Sequence, residues 1–369
     1  MSRVLLVGKG APDRGGIPSY LHTLLTSELA DEHDLRFVNV AHSGTPQGGR
    51  ATAGNVGRTI RDVVAVWRAA RDCDIVHIHS ALAPSVTVVR AGMLALAGRA
   101  RGCSVVVHAH GGAIQFWLTT RRRRALLRLA MRPADRVVAV WTAGQDVLRQ
   151  VLPADRVVLV DNGVPLEAYA EPEQDHEPPR LLYVGLLTPR KGVVDLLTAS
   201  RLLRERGVEH ELRLLGGTPD EGPGALAEVR KALDGSAQLL GVREPEEMPA
   251  EYAAADVFCL PSWWEAMPLS VLEAMAAGLP VVASDVGDVS RVVADGITGC
   301  VVPSKDPERL AAALEPLLTD AGLRRRMGAA GRARVTDLFS ATATAGQVSA
   351  LYADLRPAEL RSAGLWGAA

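Results

Sequence analysis

The sequence predicts an α/β protein built as two doubly wound domains, each a parallel sheet with helices on both faces. Three observations carry this. The chain has 369 residues, more than one hydrophobic core usually organises. Short apolar runs of strand length alternate with longer runs at helical spacing, the pattern of successive β-α-β units. The alternation also occurs twice: it runs to Asp161, breaks at the acidic, proline-rich stretch Glu171–Pro179, and restarts at Arg180.

Composition narrows the function classes. The chain is 48% hydrophobic and 22% charged, with a net charge of −1. That is ordinary for a soluble protein and offers no general basic footprint for nucleic acid. No apolar run is long enough to cross a bilayer. The opening residues, Met-Ser-Arg-Val-Leu-Leu-Val-Gly, read as a first strand rather than a leader segment. Cys73, Cys103, Cys259 and Cys300 are scattered, and three lie in or beside apolar strand runs, so a cytoplasmic protein with reduced thiols is expected.

In the first half, strands are expected at Arg3–Gly8, Leu35–Val40, Asp74–Ser80, Cys103–His110, Arg136–Trp141 and Arg156–Asp161. Helices are expected near 17–30, 58–71, 84–98, 121–131 and 142–151. Ligands of such sheets bind at the carboxyl ends of the strands, so the loops there matter most. The first is Gly8-Lys-Gly-Ala-Pro-Asp-Arg-Gly-Gly-Ile17. It opens like a dinucleotide fingerprint, but Asp13 stands where the third glycine should be, and no acid follows the second strand. Gly15 and Gly16 instead precede the helix, where bare backbone can approach a ligand closely.

Two His-x-His pairs, His77/His79 and His108/His110, end neighbouring strand runs, and residues two apart share a face of the sheet. Four histidines at one edge raise the question of zinc. No cysteine or acid accompanies them at ligand spacing, and buried or capping histidines are expected at 77, 79 and 108, with no metal. His110 differs, because it precedes Gly111-Gly112 at the strand's end. Asp72-Cys-Asp74 has the form of a metal-nucleotide motif but lies at a strand's entry, the wrong end of the sheet, and reads as a turn. Arg121–Arg132 is a basic helix with an apolar stripe at Leu126, Leu127, Leu129 and Ala130. It fits either a solvated helix face or docking to an anionic membrane.

In the second half, strands are expected at Arg180–Gly185, His210–Gly216, Ala237–Val242, Val257–Pro261 and Pro280–Ser284, with a short edge at Gly299–Val302. The first strand leads into Gly185-Leu-Leu-Thr-Pro-Arg-Lys-Gly192. Arg190 and Lys191 thus stand at a helix start, where the dipole disfavours cations unless an anion is bound. The fourth strand leads into Pro261-Ser-Trp-Trp-Glu-Ala-Met-Pro-Leu-Ser-Val-Leu-Glu-Ala-Met-Ala-Ala-Gly278. Pro268 suits a first helical turn, Leu269, Leu272, Met275 and Ala276 make an apolar face, and Gly278 ends the helix. A helix N-terminus at a sheet edge favours phosphate. Glu265 and Glu273, seven residues between them, instead suit hydroxyls, since a carboxylate accepts two hydrogen bonds from a diol. A ligand with a diphosphate in the middle and a sugar at each end fits both: a nucleotide-sugar.

The residues from Pro261 to Val282, with the Glu265–Glu273 spacing, Lys191-Gly192 and Gly15-Gly16, resemble the retaining glycosyltransferases of family four. The resemblance is strongest over 180–303. It implies the GT-B fold, with two Rossmann-like domains facing a central cleft: an acceptor-side domain at 1–164, a linker at 165–179, a nucleotide-sugar domain at 180–338, and C-terminal helices at 339–369 packing back on the first domain. It implies transfer of a sugar from a nucleotide-diphosphate sugar such as a UDP- or GDP-sugar to an acceptor hydroxyl, with retention and with no metal or other cofactor. His110, Glu265 and Lys191 are the implied catalytic residues. Gly15, Gly16, Arg190, Lys191, Gly217, Val242, Arg243, Glu265, Ala266, Met267, Pro268, Leu269 and Glu273 are the implied donor contacts. One departure stands out: the family arginine after the glycine of the first C-terminal loop is Leu186 here, with Arg190 as a substitute. The acceptor is a small molecule or a lipid-linked one, the latter with peripheral contact to the inner membrane face through 121–132. A donor hydrolase or epimerase, or a catalytically silent binding partner, is the alternative reading.

Overall fold

The computed structural model describes residues 1–41, 53–170, 175–217, 223–233 and 235–355. Of the expected linker, 171–174 lies outside the described residues, as does 356–369 of the expected C-terminal helices. The chain forms two compact units, one of residues 1–162 with 341–369 and one of residues 163–340. The first contains β1 (Arg3–Gly8), α1 (Gly16–Thr26), α2 (Leu29–Glu32), β2 (Asp34–Asn39), α3 (Ala53–Ala69), β3 (Ile75–Ser80), α4 (Ser85–Arg99), β4 (Ser104–Ala109), α5 (Ile114–Trp117), α6 (Arg121–Ala130), β5 (Arg136–Ala139), α7 (Thr142–Arg149) and β6 (Val157–Leu159). The second contains β7 (Arg180–Val184), α8 (Val193–Glu205), β8 (Glu211–Leu215), α9 (Pro223–Ala232), β9 (Ala237–Gly241), α10 (Met248–Ala253), β10 (Val257–Leu260), α11 (Leu269–Ala276), β11 (Val281–Ser284), α12 (Val289–Val292), β12 (Gly299–Val302), α13 (Pro307–Thr319) and α14 (Ala321–Leu338). The chain then returns to the first unit as α15 (Ala341–Ala353).

Each unit carries a six-stranded parallel sheet, ordered β2-β1-β3-β4-β5-β6 and β12-β11-β10-β7-β8-β9. Central strands are mostly apolar because both faces are covered; β4 and β10 are buried along their whole length. Side chains alternate across a strand, so neighbours on β3 show what covers each face. A Cβ at Gly98 of α4 would lie 2.9 Å from Val76, while His77 hydrogen-bonds the Tyr352 hydroxyl of α15 at 2.7 Å. Helix α4 therefore covers one face and α15 the other. On the α15 face, Val4, Leu6, Val106 and Val138 pack with Tyr20 and Leu24 of α1 and Val348 and Leu351 of α15.

Differences from the sequence expectation have local causes. The helix expected over 17–30 stops at Thr26, where the Thr26 and Ser27 hydroxyls bond the carbonyls of His22 and Leu24 and compete with helix continuation. Pro268 is the residue before α11, with extended backbone, rather than part of its first turn. Gly278 does end α11: it sits at φ 73°, and the amides of Gly278 and Leu279 close back on Met275 and Ala274, each at 3.0 Å. The described part of 165–179 is woven onto the second unit. Tyr169 packs on Tyr252, Asp175 pairs with the buried Arg324 at 3.0 Å, and His176 meets Asp256 at 3.1 Å.

Candidate functional site

In an open α/β sheet the binding crevice forms where strand order reverses. In the second unit that point lies between β7 and β10, which are neighbours although sheet growth leaves β7 in both directions. The loops after these strands touch. Trp263 donates its amide to the Arg190 carbonyl at 2.9 Å. Gly192 sits at φ 72°, and a Cβ there would lie 1.8 Å from the Pro261 carbonyl oxygen. We expect Gly192→Ala to lower stability well beyond the roughly 1–2 kcal/mol of a left-handed backbone alone. Gly235→Ala, at φ 83° with nothing within 4 Å, supplies the strain-only control. Melting temperatures that fall equally for both would refute the close approach.

Across this contact, Lys191 Nζ pairs with Glu265 Oε1 at 2.5 Å. Ser262 Oγ donates to the same oxygen at 2.7 Å. Glu265 is 8% exposed. The carboxylate is thus held on two sides, and the anionic partner that the sequence placed opposite Lys191 is, in this structure, a protein group. The turn after β11 supports the Glu265 loop: Gly287 is at φ 59° with no room for a Cβ beside the Glu265 and Ala266 carbonyls, and Asp288 donates its amide to Ala266 at 2.8 Å. Met267 is buried beneath, with Arg291 reaching its sulfur.

Glu273 lies in the second turn of α11, where Tyr252 donates to its Oε2 at 2.6 Å. Burial pushes the Glu273 carboxyl up, and the Tyr252 hydrogen bond opposes that only in part. Burial also holds the Tyr252 phenol well above its ordinary range, so it remains a donor. The loops after β7, β8 and β9 meet as well. Leu187 donates to the Gly217 carbonyl at 3.0 Å, Gly216 donates to Gly241 at 2.8 Å, and Val242 Cγ2 lies 3.0 Å from where a Gly217 Cβ would be. The Arg243 guanidinium is held by Glu251 at 2.6 Å and the Leu240 carbonyl at 2.7 Å.

Several residues here escaped the sequence reading. The Trp263 indole donates to Asp195 at 2.6 Å, and Lys305 lies 4.4 Å above its ring, on a left-handed backbone at φ 62°. Arg190 lies 5.7 Å from the Trp264 ring. The tandem tryptophans were the available signal, since two large aromatics in a loop need partners.

In the first unit, Gly15 is at φ 118° with open space about it, and Gly16 opens α1. Tyr20, one turn on, stands edge-on to His110 with centroids 4.8 Å apart. His110 is half-buried and bonds His79 at 2.9 Å, while His77 bonds His108 at 3.2 Å. Burial holds His77 and His110 down at about 3, with His79 and His108 also well below their ordinary value, so the four rings are uncharged at neutral pH. Strand register, rather than chain spacing, assembles this group: His79 lies directly opposite His108. His77, His79 and His108 each bring a ring nitrogen within 4.8 Å of the others. Their planes are near parallel, at 7° for His77/His108 and 28° for His79/His108, and His77 already engages both ring nitrogens, one with the Tyr352 hydroxyl and one with His108. Asp74, the second acid of the Asp-x-Asp sequence, pairs with Arg3 at 3.1 Å.

Comparison with known proteins agrees over nearly the whole length. Residues 14–168 match the family described as Glycosyltransferase Family 4, and residues 167–334 match Glycosyl transferases group 1. A phosphatidyl-myo-inositol mannosyltransferase of Mycolicibacterium smegmatis is 32% identical over 293 residues, covering 76% of this chain and 71% of the relative. This chain belongs to glycosyltransferase family 4.

Two other relatives of this family-4 member align over less of their length. A D-inositol 3-phosphate glycosyltransferase of Corynebacterium efficiens is 38% identical over 203 residues, 53% of this chain and 45% of the relative. An alpha-maltose-1-phosphate synthase of M. smegmatis is 36% identical over 253 residues, 61% and 64% respectively. The match thus spans about half to two thirds of these relatives. Among solved structures, sucrose-phosphate synthase of Thermosynechococcus elongatus superposes with a TM-score of 0.75 at 22% identity, covering 98% of this chain and all of that one. Anabaena HepE in complex with UDP-glucose gives 0.76 at 18% identity, covering 95% and 100%. The fold is GT-B. Against the family pattern, Leu186 remains the departure: it is 41% exposed, and its carbonyl is held by the Tyr183 hydroxyl at 2.7 Å.

Proposed function

We propose that this protein transfers a sugar from a nucleotide-diphosphate sugar, such as a UDP- or GDP-sugar, to an acceptor hydroxyl, with retention and without Mg2+ or Mn2+. The observation that carries the reading is the Lys191–Glu265 pair at the strand-order reversal of the second sheet, at the start of α11 and beside glycine-lined loops. Lys191 and Arg190 neutralise charge building on the departing diphosphate, where catalysis gains most. The amides of Ala266, Met267 and Leu269, with Pro268 shaping the turn, hold phosphate and sugar hydroxyls. Glu265, fixed by Lys191 and Ser262, orients the sugar. Glu273 takes the ribose diol. Gly217, Val242 and Arg243 offer backbone atoms to ribose and base. In the first unit, His110 contacts the donor sugar as a neutral imidazole, and Gly15 and Gly16 let backbone approach the donor. The protein acts in the cytoplasm, and a lipid-linked acceptor would be met at the inner membrane face through 121–132.

The test is a donor panel. Thermal stabilisation by one UDP- or GDP-sugar, and transfer to inositol phosphates, sugar phosphates or lipid acceptors with Mg2+ and Mn2+ omitted, is expected. Release of free sugar with no acceptor product would support the hydrolase alternative, and no stabilisation by any donor would support the silent partner. Arg190→Ala probes the Leu186 departure. It is expected to lower kcat about tenfold while leaving KM for the donor nearly unchanged, the mark of a contact made in the transition state. Unchanged kcat would mean that Lys191 works alone.

A further inference from the structure

We infer that the face of the first unit formed by α3, α4 and α6 seats on an anionic lipid surface, inserting an apolar strip between arginines. This goes beyond contact through 121–132 alone, and it holds whichever sugar is transferred. The three helices are contiguous. Helix α4 packs against both α3 and α6, and Gly92 of α4 approaches Ala130 so closely that a Cβ would lie 2.8 Å from its carbonyl oxygen. They cover the sheet face opposite α15, so their outer sides face away from the core.

Those outer sides are unusually apolar. Ile60, Val64 and Trp67 of α3 are 53%, 39% and 42% exposed. Met93 and Leu96 of α4 are 37% and 59% exposed, and Leu129 of α6 is 61% exposed. On α3 and α4 these residues recur at helical spacing, so they line one strip rather than scatter; contiguous exposed apolar surface marks an interaction site. The charge around them is one-sided. Helices α3, α4 and α6 carry ten arginines and one acid, in a chain of net charge −1. That acid, Asp62, is buried and paired with Arg90 at 2.6 Å. Arg61, Arg68, Arg121 and Arg122 are exposed. The Arg101 guanidinium lies over the Trp67 ring at 3.5 Å, placing a cation directly on the apolar strip. Exposed apolar side chains flanked by cations match the layering of an anionic bilayer, with acyl chains below phosphate headgroups. A protein partner for the same strip would need matching acids at each arginine, whereas a lipid surface supplies negative charge wherever the arginines fall.

The experiment is flotation of the full chain with vesicles of phosphatidylcholine alone or with about 30 mol% phosphatidylglycerol, roughly the anionic share that generates a useful surface potential. Binding to the anionic vesicles is expected, weakened at least about tenfold by raising salt from about 50 to about 500 mM as the Debye length shrinks. Ile60→Glu/Leu96→Glu should abolish binding at low salt, and Arg121→Gln/Arg122→Gln should remove mainly its salt-sensitive part. All four positions are at the surface, and unchanged melting temperatures confirm that the fold is intact. No binding to anionic vesicles at low salt overturns the inference. So does binding that survives Ile60→Glu/Leu96→Glu, and so does a solution dimer that these two substitutions dissociate, which would make the strip an interface between copies. Transfer to a soluble acceptor, measured on the same variants, should remain, separating loss of docking from loss of the sugar-transfer chemistry.

Discussion

Lys191→Ala is expected to lower kcat/KM about 100- to 1,000-fold, the usual consequence of removing a charge-stabilising group from a developing oxyanion. A second effect accompanies it. Glu265 is 8% exposed and loses its cation, and breaking a largely buried ion pair from one side leaves a desolvated charge, at up to about 3 kcal/mol of stability. The two effects can be separated. Lys191→Ala/Glu265→Gln removes the stranded charge and should recover most of the melting temperature, because Ser262 can still donate to the carbonyl oxygen of the new amide side chain; turnover should stay low. If the double variant regains turnover as well as stability, the lysine serves only to balance the glutamate, and its role on the diphosphate is lost.

Glu273→Ala is expected to weaken binding of the nucleotide-sugar about 10- to 150-fold, corresponding to roughly 1.5–3 kcal/mol for charge-assisted hydrogen bonds to a ribose diol. The same position carries an opposite effect on the free protein. Burial raises the Glu273 carboxyl above its ordinary value of 4.5. A raised carboxyl binds its proton more tightly folded than unfolded. Its stabilising contribution is therefore complete below the unfolded value and is lost as pH rises through the folded value. Above that window the buried carboxyl costs stability. Glu273→Gln, which can still accept from Tyr252, should match or exceed the wild-type melting temperature while binding donor poorly. Calorimetry showing undiminished donor affinity in both variants would remove Glu273 from the ribose.

The strands and helices of both units were legible because each parallel strand is a short apolar run and each helix repeats at about 3.6 residues. Glu265, Glu273 and Lys191 were singled out by their places after strand ends, by the spacing of the two glutamates and by the resemblance to the family. What could not be read were contacts between segments distant in sequence. Nothing near Lys191 shows that Glu265, 74 residues later, meets it. Tyr252 looks like an ordinary helix residue until it meets Glu273. The histidine group depends on the register of β3 with β4, which only the folded sheet fixes. The end of the helix expected over 17–30 was misjudged because hydroxyl competition for carbonyls is too local for an apolar pattern to reveal. The stretch 171–179 reads as a linker by composition, and its bonds from Asp175 and His176 to Arg324 and Asp256 involve partners that a local reading cannot see.

The return of α15 to the first unit has a consequence for the order of assembly during synthesis. Residues 163–340 form a continuous segment that can close its own sheet as soon as it leaves the ribosome. The earlier segment, although made first, lacks Tyr352, Leu351 and Val348 until the end of the described chain is made. Until then the part of that sheet face around the His77 ring, which α15 covers, stays open to water. The unit begun first is thus the last to be finished. Closing it must join segments separated by a whole folded body, a long-range contact of the kind that slows folding.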